Sequence, residues 1–528
     1  MSLRFFSALA LVACALLFLP VITLAIPLAQ LLTPAPWVEL TKAYELWYAL
    51  QTTLISTLGS LVLSLVLALL IIASLILRPG FSAFVSRLPF LLAIPHLAFA
   101  VGVYVLLSPK GWLERLLNVI GLDFSDTLLV QDTYGWSLAI ALGIKESWFL
   151  CWMLWAQIRR SDLADQYLVA STLGYNRAQI FCSIILPQLL PGLRWPLLAV
   201  LAYSLSSVEM AWILGPTHPP TLAVLAWRAL LDPLVEQRQL GIAMAMILVV
   251  LMFMLAALIW LLPSALSLSK PRGIRWPRVP LGGVILFRFL LGLHLLLAAL
   301  ILIWSFTHSW FYPDLLPGRW SLRAWNSLSI QPFYNAVGLG VLSALMGVVL
   351  VSLILELNIK FTGWLLTPLF LPVLPLVISQ YLWVQWLNLD PGFGTVLVAH
   401  LLWVIPYIYL VLKPAYTVLD KDLLLTGKTL GLKPAALFWR LKAPLLVRPL
   451  AAALALGFSV SLAQYLPTQF IGAGRVDTLT TETLNGFAGG DRRILGAQTL
   501  VLLMVALLFY WFAAKTPAWL YRHRRGMH

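Results

Sequence analysis

DQYLVASTLGYNRAQIFCSIILPQLLPGL, residues Asp165–Leu193, returns in altered form as DLLLTGKTLGLKPAALFWRLKAPLLVRPL, residues Asp422–Leu450. The two segments align without a gap at an offset of 257, and 10 of 29 positions are identical. The shared residues include Asp165/Asp422, Gly174/Gly431, Phe181/Phe438 and Pro187/Pro444. Leu163, Tyr167, Ala170 and Leu173 recur at helical spacing, which predicts a short amphipathic helix before Gly174. Gly174 suits the left-handed position just past a helix end. A second helix is predicted to follow, capped by Asn176 in the first copy. In the second copy Pro434 takes its first turn, where a missing N–H costs nothing. Pro187 and Pro444 are expected where the chain turns toward the next long apolar stretch.

Those apolar stretches define the class. The chain has 528 residues, 61% of them hydrophobic and only 10% charged. A soluble chain of this length needs more polar surface. Apolar runs of roughly 20 residues recur, each long enough to cross ~30 Å of hydrocarbon as a helix. Twelve are readable, near 6–29, 49–77, 89–107, 136–158, 195–214, 241–262, 283–306, 335–357, 364–388, 395–412, 449–467 and 494–514. The expected fold is all-α and polytopic, with about twelve transmembrane helices.

The net charge of +15 is spread in a way that excludes nucleic-acid binding. With the N-terminus on the cytoplasmic side, cytoplasmic segments hold 23 Lys/Arg and 4 Asp/Glu, and the opposite side holds 10 and 13. This is the positive-inside asymmetry, and it predicts both termini in the cytoplasm. Arg522, Arg524 and Arg525 then serve as an anchor at anionic headgroups. Lys145, Glu146, Glu209, Arg288 and Glu356 fall within spans. Cys14, Cys151 and Cys182 fit neither a zinc site nor a redox pair. Cys14 follows a lipoprotein-like box, but the apolar run continues to Ala29, so an uncleaved first helix is expected.

Pro263–Pro280 carries Lys270, Arg272, Arg275 and Arg278 and interrupts the apolar pattern. It reads as a cytoplasmic linker, 263–280, between a first repeat, 1–262, and a second, 281–528. Six spans per half make the repeats parallel. Weaker matches keep the same order in both halves: Gln51-Thr52-Thr53 with Asn335-Ala336-Val337, Pro95 with Pro375, Glu209 with Gln464, and Thr221-Leu222 with Thr478-Leu479.

The duplicated loops, 162–194 and 419–451, resemble the EAA loop of ABC-importer permeases, whose pattern is E-A-A-x3-G-x9-I-x-L-P. The first copy supplies Leu168-Val169-Ala170, Gly174, Ile184 and Leu186-Pro187 at that spacing. The second supplies Leu425-Thr426-Gly427, Gly431, Leu441 and Ala443-Pro444. Leucine stands at the glutamate position in both. The chain most resembles the fused double permeases of ferric-iron and thiamine importers, and the YnjC type. The resemblance implies a bacterial inner-membrane permease subunit with an alternating-access substrate path. It implies two copies of a cytoplasmic ATPase, seated on Asp165, Ala170, Gly174, Phe181 and Pro187 and on Asp422, Gly427, Gly431, Phe438 and Pro444. It also implies a periplasmic binding protein that delivers the solute. ATP would be used by those partners, with no cofactor held by this chain.

Gly427-Lys428-Thr429 imitates the end of a phosphate-binding loop. The glycine such a loop needs five residues earlier is Asp422, and leucines fill the gap, so it is no phosphate cradle. No catalytic triad, carboxylate dyad or metal-ligand set is readable. Charges inside the membrane are candidates for the path. Lys145 and Glu146 either line it or neutralise neighbours across an interface. Glu209 is a further candidate, with Gln464 as its repeat counterpart. Lys145, Trp148, Trp152 and Trp155 form one stripe, expected to be interhelical packing. His96 and His400 have no second ligand at metal spacing and are expected to be packing histidines. Two rivals stay open: an ion-coupled secondary transporter using Lys145, Glu146 and Glu209, and a membrane scaffold.

Overall fold

The computed structural model describes residues 3–24, 35–42, 44–76, 81–122, 129–158, 163–268, 282–356 and 362–520. The chain is almost wholly helical. The only strands among the described residues are a short antiparallel pair, Thr307–Ser309 with Arg319–Trp320. Among the described residues, ten helices are long and apolar enough to cross a membrane. An eleventh segment is the pair Gly363–Phe370 and Val373–Trp386, bent by 111°.

This differs from a count of twelve uniform spans at the first segment. Within the predicted run 6–29, the described residues, up to 24, form the helix Leu3–Leu17 and a single turn, Leu19–Ile22, with Pro20 just inside its start. The predicted spans 195–214 and 449–467 also begin and end differently. Each helix starts earlier, at Leu186 and Ala443, and stops at Ser206 and Leu462. A separate seven-residue helix then follows, Val208–Leu214 in one half and Leu466–Gly472 in the other. The helix Val235–Leu268 runs past Pro263, so the linker's start is helical. Lys270, Arg272, Arg275, Arg278 and the basic tail Arg522–Arg525 lie outside the described residues.

The halves repeat element by element, which corrects three of the weaker sequence matches. Pro95 precedes the helix His96–Leu107 at φ −59, ψ 142; its partner is Pro372, at φ −56, ψ 140, rather than Pro375. Both prolines break the third span. On the second span, buried Ser60, Ser64, Ala68 and Ile71 repeat as buried Ser343, Gly347, Val351 and Ile354. That register matches Thr52 with Asn335, one residue from the reading by sequence. Gln464 lies within the break after Leu462, whereas Glu209 is the second residue of the helix beyond it. Thr221 and Thr478 do correspond: each precedes the helix of the following loop, Leu222–Leu230 or Leu479–Ala488.

Each half lends its first helix to the other. Phe18 packs edge-on against Trp364 at 5.0 Å, and Thr23 accepts a 2.7 Å bond from the Trp383 indole. In reverse, Phe287 meets Phe84 at 5.0 Å and His294 meets Phe99 at 4.9 Å. At Gly283 the crossing is so close that a Cβ would fall 2.2 Å from the Leu70 carbonyl oxygen. The Gly283 N–H donates to Ser74 Oγ at 3.1 Å. On the loop side, Arg115 donates from Nη1 to the carbonyls of Phe311 and Asp314, both at 2.7 Å. Its guanidinium also lies 4.9 Å over the Trp310 ring.

These exchanged contacts hold the halves without the linker. A chain cut within 269–281 and expressed as two pieces should therefore reassemble. Affinity purification through a tag on one half should recover both; a tagged half emerging alone would contradict the exchange.

Candidate functional site

The duplicated segments fold into the same object. Helices Leu163–Thr172 and Lys421–Thr429 precede glycines at φ +82 and +79. Past each glycine the chain closes on itself in the same way. Gly174 N–H donates to Ser171 O at 3.1 Å and Tyr175 N–H to Ala170 O at 3.2 Å. Gly431 N–H donates to Lys428 O at 3.0 Å and Leu432 N–H to Gly427 O at 3.1 Å. This pair of bonds satisfies the last carbonyls of the helix and needs a left-handed residue.

A four-residue helix follows in each copy, Arg177–Ile180 or Pro434–Leu437. Asn176 Oδ1 accepts from Gln179 N–H at 2.9 Å, and Gln179 Oε1 accepts from Asn176 N–H at 2.8 Å. Pro434 occupies the equivalent start without needing a side-chain cap. Both copies then widen into one π-helical turn, Phe181–Ile185 and Phe438–Lys442. Leu186 N–H reaches back to Phe181 O, and Ala443 N–H to Phe438 O. The prolines come next, at the second position of the membrane helix. The chain does not turn there as the sequence suggested. The widened turn instead shifts the hydrogen-bond ladder, so that a residue without an N–H fits inside a continuing helix.

The candidate residues of this loop divide by exposure. Asp165, Gly174, Asp422 and Gly431 are at the surface, as is Pro187. Ala170 and Phe181 are buried, Gly427 is buried, and Phe438 and Pro444 are half-buried. The buried group shapes the knob. A Cβ on Gly427 would lie 2.7 Å from Leu441 Cδ1 and 2.8 Å from Leu437 Cδ1. Leucine side chains thus fill the space that the Ala170 methyl fills in the first copy. The outward surface is apolar at matched positions: Leu168 and Leu425 are 64% and 60% exposed, and Leu173 and Leu430 are 71% and 77% exposed. Helical spacing puts Leu173 on one apolar face with Tyr167 and Ala170, yet Ala170 is buried and Leu173 is exposed.

The intramembrane candidates form a second site. His96 Nε2 lies 2.8 Å from Glu146 Oε1, and the His96 ring packs 4.6 Å from that of Tyr203. The Tyr203 hydroxyl donates to Glu209 Oε1 at 3.2 Å. Glu146 is 7% exposed, while Glu209 keeps part of its surface open. Tyr407 and Tyr465, from the second half, lie within electrostatic reach of Glu146 and Glu209 respectively. Gln464 precedes Tyr465 in the helix break. The structure thus links Glu146 to Glu209 through His96 and Tyr203.

Lys145 departs from this group. It is buried and donates to the Leu91 carbonyl at 2.8 Å. The tryptophan stripe packs as expected: Trp148 is fully buried, its indole donates to His294 Nε2 at 3.3 Å, and Trp152 lies 5.0 Å from Trp155. His400 is a satisfied packing histidine, 2.8 Å from Ser461 Oγ and 3.0 Å from Thr468 Oγ1. His96 is not of that kind, since its partner is a carboxylate. No group of three metal-ligating side chains exists among the described residues.

Residues 285–516 match the family described as "Binding-protein-dependent transport system inner membrane component". The inner membrane ABC transporter permease protein YnjC of Escherichia coli is 35% identical over 518 residues, 97% of this chain and 96% of that protein. The spermidine/putrescine transport system permease protein PotC homolog of Mycoplasma pneumoniae is 28% identical over 125 residues, 23% of this chain and 43% of that protein. The similarity to YnjC spans both halves. An all-α chain with a doubled set of membrane helices and two matching knobs fits that kinship, and the chain belongs to the inner-membrane permeases of ABC transporters.

Proposed function

We propose that this chain is the complete substrate path of a binding-protein-dependent importer, with both halves of the path in one polypeptide. Its two knobs seat in two copies of a cytoplasmic ABC ATPase. Hydrolysis there switches the membrane helices between inward- and outward-open states, and a periplasmic binding protein supplies the solute. Both termini and both knobs face the cytoplasm, as the positive-inside asymmetry supports. The chain itself holds no ATP.

One observation carries this reading. The knobs share helix, left-handed glycine, short helix and π-turn at matched positions, although only 10 of 29 residues are identical. Backbone geometry kept through such divergence points to a shape read by a common partner. The Glu146–His96–Tyr203–Glu209 group then lies on the path. Two carboxylates against aromatic rings favour a cationic solute.

In proteoliposomes holding this chain with its cognate ATPase and binding protein, uptake should require ATP and ignore an imposed proton or sodium gradient. Uptake by the chain alone, driven by such a gradient, would instead establish an ion-coupled transporter. An absence of any flux would favour a scaffold.

A further inference from the structure

The two knobs are mounted on the membrane domain by different chemistry. Ile185 ends the first π-turn and is fully buried. It belongs to one apolar core with Ala170, Ile180, Phe181 and Leu189. In the second knob Leu437 and Leu446 are buried at the positions of Ile180 and Leu189, but none of the five residues of its π-turn is. At the position of Ile185 stands Lys442. Its Nζ lies 2.8 Å from Glu356 Oε1 and 2.6 Å from Oε2. Glu356 is the last residue of the helix Gln331–Glu356, the second span of its half. The two side chains are only 15% and 11% exposed.

The first half shows what the pair replaces. In the register of the second spans, Glu356 corresponds to Ala73. Ala73 is buried in the same apolar core as Ile185. Two positions that share one buried apolar core in the first half, Ala73 and Ile185, are thus occupied in the second by a glutamate and a lysine that pair with each other. An ion pair this far from water depends on both partners, because either one alone leaves a stranded charge. Tyr416 also lies within electrostatic reach of Glu356, as a neutral neighbour.

We propose that Glu356 and Lys442 are positioning residues: their ion pair ties the second knob to its membrane helix and transmits the knob's displacement to that helix. This rests on the importer reading above. It also makes the two knobs unequal, one with a π-turn embedded in a core and one whose π-turn is held by a charge pair.

The test compares Glu356→Gln and Lys442→Met with the double variant Glu356→Ala/Lys442→Ile, which installs the first half's chemistry. Hydrogen exchange on the purified chain reads positioning without any partner. Amides of 421–442 should exchange at least about tenfold faster in each single variant, those of 163–185 should be unchanged, and the double variant should return to within about twofold of wild type. In proteoliposomes with the ATPase, each single variant should retain bound ATPase and basal hydrolysis but transport several-fold less solute per ATP. Single variants with wild-type exchange and coupling would overturn the proposal, as would a double variant no better than the singles. Wild-type chain that binds no ATPase would overturn the importer reading, while the exchange data would still decide the mount.

Discussion

Valine at both Gly174 and Gly431 should abolish ATP-driven transport while leaving the chain in the membrane. Both glycines sit at positive φ, +82 and +79, and both end a knob's first helix. Neither is crowded: a Cβ at either position would meet nothing within 4 Å. The constraint is therefore conformational rather than steric. A left-handed conformation costs an L-residue about 1–2 kcal/mol, and a β-branched side chain fares worse. Valine would push each knob out of its bend, undoing the two closing bonds and moving Leu168, Leu173, Leu425 and Leu430. The expected result is loss of bound ATPase and at least a tenfold fall in uptake, with unchanged membrane yield. Asparagine tolerates the left-handed region, so Gly174→Asn with Gly431→Asn should keep most activity. Full activity in the valine pair would show that the bend is not what the partner reads.

The contrast between asparagine and valine follows from the structure, although the bend itself was legible in the sequence. A glycine after an amphipathic stretch, with a capping residue or proline two or three residues on, specifies a helix–turn–helix from local chemistry alone. The gapless alignment of the loops and the recurrence of apolar runs likewise revealed the doubled membrane domain. What escaped sequence reading depends on contacts between distant positions. Nothing near His96 announces Glu146, fifty residues away, and nothing near Lys442 announces Glu356. The π-turns escaped for another reason. FCSII and FWRLK share only phenylalanine, and prolines inside other helices, such as Pro196 and Pro406, have no widened turn before them, so neither the five residues nor the proline announces it. The exchange of first helices was also invisible, because an apolar helix does not name the half it packs against.

Unequal knobs and exchanged helices have a joint consequence for the path. The helix carrying Glu356 is also one against which the chain's first helix packs, so it joins the second knob's mount to both halves. The first knob's buried residues share a core with Trp148 and Leu150, on the helix that carries Glu146. Under the proposed coupling, the first knob thus has a packed route to the helix of Glu146, and the second acts on the helix against which the first half's leading helix lies.

That group supplies the second large expected effect. Glu209→Gln should lower uptake at least tenfold without releasing the ATPase. The Glu209 carboxylate lies just past the membrane-long helix that ends at Ser206, partly open, with the Tyr203 hydroxyl as its hydrogen-bond donor at 3.2 Å. Keeping a charge there is costly unless a cation offsets it, so a passing cationic solute would gain what the carboxylate lacks. A hydrogen bond to a charged group contributes about 1.5–3 kcal/mol, which is roughly tenfold to a hundredfold in rate or affinity. Glutamine keeps the size and one acceptor but removes the charge, so a loss would report on charge rather than packing. Glu146→Gln should act less strongly, because His96 already holds Glu146 at 2.8 Å. Lys145→Met supplies the opposite pattern. Its amine is spent on the Leu91 carbonyl, so its removal should lower thermal stability and leave the KM for solute unchanged. Equal losses in Glu209→Gln and Lys145→Met would mean that the membrane charges hold the helices together and do not face the solute.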